Sequence, residues 1–408
     1  MSTYSILSKT KNKTIKNNIR TQLHTVTNYI QNLEQFCDVK SYSEVYKIQC
    51  FLESELQKYN NTINIISAPK KEFLDIIEDS KDIVANNKQG VVRLVTLNVK
   101  YGNMNKKVKA ILKFGKGYHK EIEAVLHEVT IGYFLNKLRL SGNMNFMYVY
   151  TPFYCSVGKE ICQNPKIDKL TTCAFFEYIN GKSISDYIKE NCRQNITAIN
   201  STFIKVFFQV ILALADAQAF CKFVHYDLHD ENVLTLQLKK PIDVVYKHIG
   251  YILKEVDYMP VIIDFGNAIV QSPKDSSVFL GPFTDESVKV KYFEDLAYSK
   301  NPFLSCYDVF HFSMMSLYSI SRCKNETKED IEKVWKILMS FFIFRINQPN
   351  VKVSSSCKKY LTSQTFTSDS LYYRLKVSDR DLVDIDIKHY LSYLIQIINP
   401  VNLEKVEN

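Results

Sequence analysis

Two short segments carry residue types that could do chemistry together. One is His225-Tyr226-Asp227-Leu228-His229-Asp230-Glu231-Asn232, and the other is Val261-Ile262-Ile263-Asp264-Phe265-Gly266. The first has the frame His-x-Asp-x-x-x-x-Asn; in the second, an apolar run delivers an aspartate into a glycine turn. Phosphoryl transfer from ATP needs such a set, because the triphosphate is multiply anionic. A hard divalent cation must neutralise it, held by carboxylate and amide oxygens, while a further carboxylate orients the attacking hydroxyl. Asp264 and Asn232 are the candidate metal ligands. Asp227, five residues before Asn232, is the candidate base. An isolated Asp-Phe-Gly is ordinarily only a turn after a strand; the ordered combination with His225, Asp227 and Asn232 is what points to chemistry.

These residues must be positioned by regular elements. Leu23, Val26, Ile30 and Leu33 recur at helical spacing, as do Val45, Ile48, Phe51, Leu52 and Leu56, which predicts two amphipathic helices. Val91 to Val99 and Val108 to Phe114 read as strands around a turn at Tyr101-Gly102-Asn103. A helix is expected from about Glu121 to Leu138, a buried strand over Cys173 to Tyr178, and a long helix over Phe203 to Phe220. The expected organisation is α+β: a basic arm and helical extension over 1–63, a strand-rich lobe over 64–178 and a helix-rich lobe over 179–408. Asn180-Gly181 is the expected hinge.

Composition narrows the class. The chain of 408 residues is 46% hydrophobic and 13% aromatic, enough to build a core. No uninterrupted apolar run reaches eighteen residues, so no transmembrane segment is expected, and the reading is of a soluble cytoplasmic protein. Ten cysteines occur without a Cys-x-x-Cys pair, which favours reduced thiols over a zinc site or a disulfide framework. The formal charge of +9 is spread along the chain and implies no specific nucleic-acid partner. Lys9, Lys11, Lys13, Lys16 and Arg20 read as a solvated basic arm.

The two chemical segments resemble the catalytic loop and the Asp-Phe-Gly element of eukaryotic-type protein kinases, and the motif order extends the resemblance over roughly 80–320. It implies a two-lobed fold binding ATP and Mg2+ between the lobes, with a protein hydroxyl, serine or threonine, as the acceptor. Asp227 falls on the catalytic aspartate and Asn232 and Asp264 on the metal ligands. His225 and Phe265 fall on packing residues of the regulatory core. Ala110-Ile111-Leu112-Lys113 resembles the strand whose lysine holds the α- and β-phosphates, with Glu128 as its best-placed partner and Glu121 and Glu123 as competitors. Phe176 to Gly181 resembles the gatekeeper and hinge, implying adenine hydrogen bonds to the Glu177 carbonyl and the Ile179 amide. Asp308 to Ser313 is similar to the start of the helix whose aspartate steadies the catalytic loop.

The departures are specific. The phosphate-covering loop, Ala85 to Val92, keeps only its third glycine, Gly90, before Val92. His229 stands where most serine/threonine kinases have lysine, which leaves it either contacting the γ-phosphate or hydrogen-bonding the backbone. Thirty-one residues lie between Asn232 and Asp264, which predicts an insertion near 239–258. No Ala-Pro-Glu element is evident, and Ser272, Ser276, Ser277, Thr284 and Ser287 in that region are ordinary surface residue types. The Asp-Leu-His loop, the insertion and the degenerate glycine loop are similar to kinases of large DNA viruses. That resemblance implies an intracellular protein, or one carried in the virion if its source is viral. A small-molecule kinase of the aminoglycoside or choline type shares the His-x-Asp-x-x-x-x-Asn frame, and a pseudokinase scaffold would explain the lost glycines; both stay open.

Overall fold

The computed structural model describes residues 44–58, 75–87, 90–115, 119–156, 170–194, 199–271, 279–280, 303–321, 328–347 and 385–406. The basic arm, the helix expected at Leu23–Leu33 and the five Ser and Thr residues between 272 and 287 lie outside them. The chain divides into two units, one of residues 1–137 and 147–178, the other of 138–146 and 179–408. Both helices and antiparallel sheets are present, so the fold class is α+β.

The first unit begins with α1, Glu44–Lys58. Its apolar repeat buries Ile48, Phe51, Leu52 and Leu56 against β2 and β4 of a five-stranded sheet. The strands are β1 (Ile77–Asn87), β2 (Gly90–Tyr101), β3 (Met104–Phe114), β4 (Val149–Ser156) and β5 (Leu170–Glu177), in the order β1-β2-β3-β5-β4. The helix α2, His119–Leu140, joins β3 to β4. Gly102, at φ +57, supplies the left-handed residue that a two-residue hairpin between β2 and β3 requires. Tyr148 donates to Gln49 Oε1 at 2.5 Å and Gln49 donates to Glu53 at 2.9 Å, which links β4's leading edge to α1. Burial pushes the Glu53 carboxyl up to about 7.

Register decides which side chains share a face. Lys113 stands opposite Val92 on one side and Ala174 on the other, and Ile111 stands opposite Leu94 and Phe176. Opposed residues in an antiparallel ladder point the same way, so Val92, Leu94, Ile111, Lys113, Ala174 and Phe176 line one face. The alternate residues Val95, Leu97, Ala110, Leu112 and Phe175 are wholly buried on the other.

The second unit contains β6 (Lys182–Ser183), α3 (Ile184–Gln194), α4 (Ile204–Cys221), β7 (Val233–Tyr246) and β8 (Tyr251–Ile262). Farther on come β9 (Val270–Gln271), β10 (Phe279–Leu280), α5 (Tyr307–Ser321), α6 (Lys328–Ile346), α7 (Ile387–Ile398) and β11 (Leu403–Lys405). A helix-rich lobe was expected after Gly181; the described residues also hold a four-stranded antiparallel sheet, β11-β8-β7-β6. The expected loop insertion near 239–258 is instead the outer part of the β7–β8 hairpin. It is closed by a 3-10 turn, Lys247–Ile249, and by Gly250 at φ +70. Alternating residues such as Val244 and Tyr246 are buried there, a pattern that suits a strand and not a decorating loop.

The helix α4 is apolar nearly all round, as a core helix must be. The stretch Ser201–Cys221 is long and apolar enough to cross a membrane, and 78% of that window is buried within the protein. Its buried Asp216 accepts from Asn143 Nδ2 at 2.9 Å and from the His248 amide at 2.7 Å, which ties the segment after α2 and the hairpin turn to one helix. Gly142 and Gly181 are glycines for steric reasons. A Cβ at Gly142 would lie 2.8 Å from Val245 Cβ, and one at Gly181 2.7 Å from the Thr235 carbonyl oxygen. Close approach to the sheet leaves no room for a side chain at Gly181.

Candidate functional site

In the second unit the two chemical segments sit at the open end of one hairpin. The ladder pairs Val233 with Ile262, and one residue farther the Ile263 amide donates to the Asn232 carbonyl at 3.0 Å. Asn232 and Asp264, with thirty-one residues between them in sequence, therefore leave adjacent strands side by side. The Asn232 amide nitrogen donates to the Asp227 carbonyl at 2.9 Å. That bond assigns Nδ2 and leaves Oδ1 as the side-chain oxygen able to face a cation.

The loop from His225 is held by Asp308, the wholly buried second residue of α5. Its two carboxylate oxygens accept from the His225 amide at 2.7 Å and the Tyr226 amide at 2.9 Å. Tyr226 has φ +61, a conformation that costs a bulky L-residue energy and persists only where surroundings enforce it. Burial pushes Asp308 up to about 6, while His225 and the two amide donors pull it down. The His225 ring accepts from the Asp227 amide at Nδ1, 3.3 Å, and its Nε2 lies 2.9 Å from the Ile263 carbonyl, the pattern of an Nε2–H tautomer. Phe265 is fully buried and stands edge-on to Phe223 and His225.

In the turn after β8, Asp264 adopts the left-handed conformation, at φ +63, and leads into a 3-10 turn over Phe265–Asn267. Asn267, which the sequence reading did not single out, donates through Nδ2 to Asp227 Oδ2 at 3.2 Å. Only its place directly after the Asp-Phe-Gly triplet could have drawn attention to it. His229 accepts from the Glu231 amide at Nδ1, 3.2 Å, and its ring lies edge-on to His311. The backbone role is thus filled, and Nε2 is the nitrogen left to carry the proton. Burial pushes the Asp230 carboxyl up, and the Ser319 hydroxyl bonded to it opposes that shift.

In the first unit, Lys113 Nζ lies 2.7 Å from Glu128 Oε1 and 5.3 Å from the centre of the Phe176 ring. The Glu128 side chain is 6% exposed. The side chains of Glu121 and Glu123 lie outside the described residues. Removing one member of a buried pair strands the other charge. Lys113→Met is therefore expected to destabilise the fold by roughly 3 kcal/mol, and adding Glu128→Leu to restore most of it. Urea unfolding of the two variants checks this; additive losses would show that the pair is not coupled. Gly90 opens β2 opposite Asn87 at the tip of the β1–β2 hairpin. The Glu177 amide donates to the Tyr148 carbonyl at 2.8 Å and its carboxylate accepts from the Tyr148 amide at 3.1 Å. Ile179 is buried and is the first residue of the second unit's long segment.

Among the described residues no group of three or more His, Cys, Asp or Glu could hold a metal ion. A magnesium ion shared with a triphosphate needs fewer protein ligands, because phosphate oxygens and waters complete its octahedron. The oxygen donors Asp264 and Asn232 fit that hard cation in kind.

No protein-family profile matches the chain. Over 96 residues, 24% of its length, it is 31% identical to "Probable kinase 098L" of Invertebrate iridescent virus 3. Over 153 residues, 36% of its length, it is 28% identical to "Uncharacterized protein 179R" of Invertebrate iridescent virus 6. The chain spans 17% and 11% of the lengths of those two proteins. These partial similarities suggest a kinase-like relationship and go no further.

Proposed function

We propose that the protein is an ATP-dependent phosphotransferase with a two-lobed protein-kinase-like fold, acting on a serine or threonine hydroxyl of a protein. The observation that carries this reading is the hairpin-end cluster of Asp227, Asn232 and Asp264, braced by Asp308. The ion pair of Lys113 with Glu128 on a sheet face shared with Val92, Ile111 and Phe176 supports it. Bound Mg2+ supplies charge neutralisation of the triphosphate, and the oxygens of Asp264 and Asn232 are the groups that would hold it. Lys113 positions the α- and β-phosphates, with the backbone at Gly90 and Val92 covering them. The Glu177 carbonyl and Ile179 amide receive the adenine. Asp227 orients the acceptor hydroxyl and takes its proton, and His229 offers an Nε2–H to the transferring phosphoryl group.

The test is transfer of labelled phosphate from MgATP into a basic protein, into the chain itself and into a panel of small alcohols, beside Asp227→Asn. The expected result is phosphoserine or phosphothreonine, reduced ~10²- to 10⁴-fold in the variant, with nucleotide binding retained. Label only on a small alcohol would replace this reading by a small-molecule kinase. Nucleotide binding without label would leave a pseudokinase scaffold.

A further inference from the structure

In the transfer chemistry just described, Asp227 needs one carboxylate oxygen fixed so that the other faces the acceptor. A neutral donor, Asn267 Nδ2, stands 3.2 Å from Asp227 Oδ2. Two local constraints set Asn267 in place. On its N-terminal side it closes the 3-10 turn that starts at Phe265, whose carbonyl accepts from the Ala268 amide at 3.1 Å. On its C-terminal side Ile269 forms a reciprocal antiparallel bridge with Val224, at 2.8 Å and 3.1 Å, immediately before His225. The segment carrying Asn267 is therefore tied to the strand leading into the Asp227 loop. The turn itself uses only backbone groups, so the side-chain bond to Asp227 is additional to it. His229, at the position where the resemblance led one to expect a cation beside the base, has its Nδ1 engaged by the Glu231 amide.

We propose that Asn267 is a positioning residue: its amide fixes Asp227 Oδ2 and thereby couples the orientation of the candidate base to the turn that carries Asp264. The inference rests on the phosphotransferase reading. It makes the metal-ligand turn and the base one mechanical unit, since a displacement of the turn that carries Asp264 also withdraws the donor from Asp227.

The experiment compares the full-length chain with Asn267→Ala and Asn267→Asp in labelled-phosphate transfer. It records kcat, the KM for ATP, MgATP affinity by calorimetry and the thermal midpoint. Loss of orientation should lower kcat ~10- to 100-fold in Asn267→Ala. The loss should be larger in Asn267→Asp, where a second carboxylate replaces the donor, with ATP KM and affinity within about twofold of the parent. Should Asn267→Asp lower the thermal midpoint, Asn267→Ser adds no charge and carries the same comparison. Unchanged kcat in an active parent overturns the inference alone, as does a fall in kcat matched by equal loss of MgATP affinity and of thermal midpoint. A parent chain that binds MgATP and transfers no phosphate overturns both this inference and the reading beneath it.

Discussion

Asp264→Ala is expected to lower phosphate transfer from ATP by ~10³-fold or more. The carboxylate is the charged member of the proposed ligand pair, and Asn232 contributes only a neutral amide oxygen. Losing ~4 kcal/mol of charge stabilisation corresponds to three decades in rate. One complication is built into the backbone: Asp264 lies at φ +63, where alanine is strained by ~1 kcal/mol while asparagine is tolerated. Asp264→Asn therefore separates charge from conformation. It should keep the thermal midpoint of the parent and still lose most of the transfer. If Asp264→Asn transfers phosphate at the parent rate over a range of Mg2+ concentrations, the assignment of Asp264 as a metal ligand fails.

Asp308→Ala should be the most damaging single change to stability in the second unit. It strands the His225 and Tyr226 amides, both hydrogen-bonded to a wholly buried carboxylate. Each unsatisfied buried donor costs about 1–3 kcal/mol, and the left-handed Tyr226 loses what enforces it. A loss of roughly 3–5 kcal/mol in urea unfolding is expected. The acid dependence carries the opposite sign to that of an ordinary salt-bridged aspartate. Burial raises the folded-state pKa from 3.8 to about 6, so the folded state binds this proton more tightly than the unfolded chain does. Its contribution is fully present below pH 3.8 and is lost as pH rises through about 6, a change on the order of 3 kcal/mol. Asp308→Asn removes the titration. It should flatten the part of the stability profile that lies between those limits, and an unaltered profile would show that Asp308 does not titrate there.

The local order of elements was legible because it rests on periodicity. The spacing of Val45 to Leu56 gave α1, and the Tyr101-Gly102-Asn103 turn gave the β2–β3 hairpin. The strand β1 was not legible: Ile77–Asn87 reads Ile-Glu-Asp-Ser-Lys-Asp, polar and partly exposed, and is a strand because β2 supplies its hydrogen bonds. The same limit hid the outer β7–β8 hairpin, where Lys239, Lys240 and Asp243 disguise an alternation that buries Val244 and Tyr246. The candidate residues Asp227 and Asn232 could be singled out because they lie at fixed spacing within one local segment. Asn267 could not, because its bond to Asp227 depends on a bridge between Val224 and Ile269 that no local pattern encodes.

The long β7–β8 hairpin has a further consequence, for the side of β8 that faces away from β7. The twelve-residue β8 outruns the three-residue β11 beside it, and such an uncovered strand side is a template for pairing with another chain. Along β8 that template is cancelled piece by piece. Leu403–Lys405 pairs with Tyr251–Leu253, and Asn402 exchanges bonds with Lys254. The left-handed Glu255 breaks the pleat at φ +52, Gln209 takes the Tyr258 carbonyl, and Asn145 takes the Pro260 carbonyl and the Ile262 amide. Among the described residues, much of the outer side of β8 is thus already bonded within the chain.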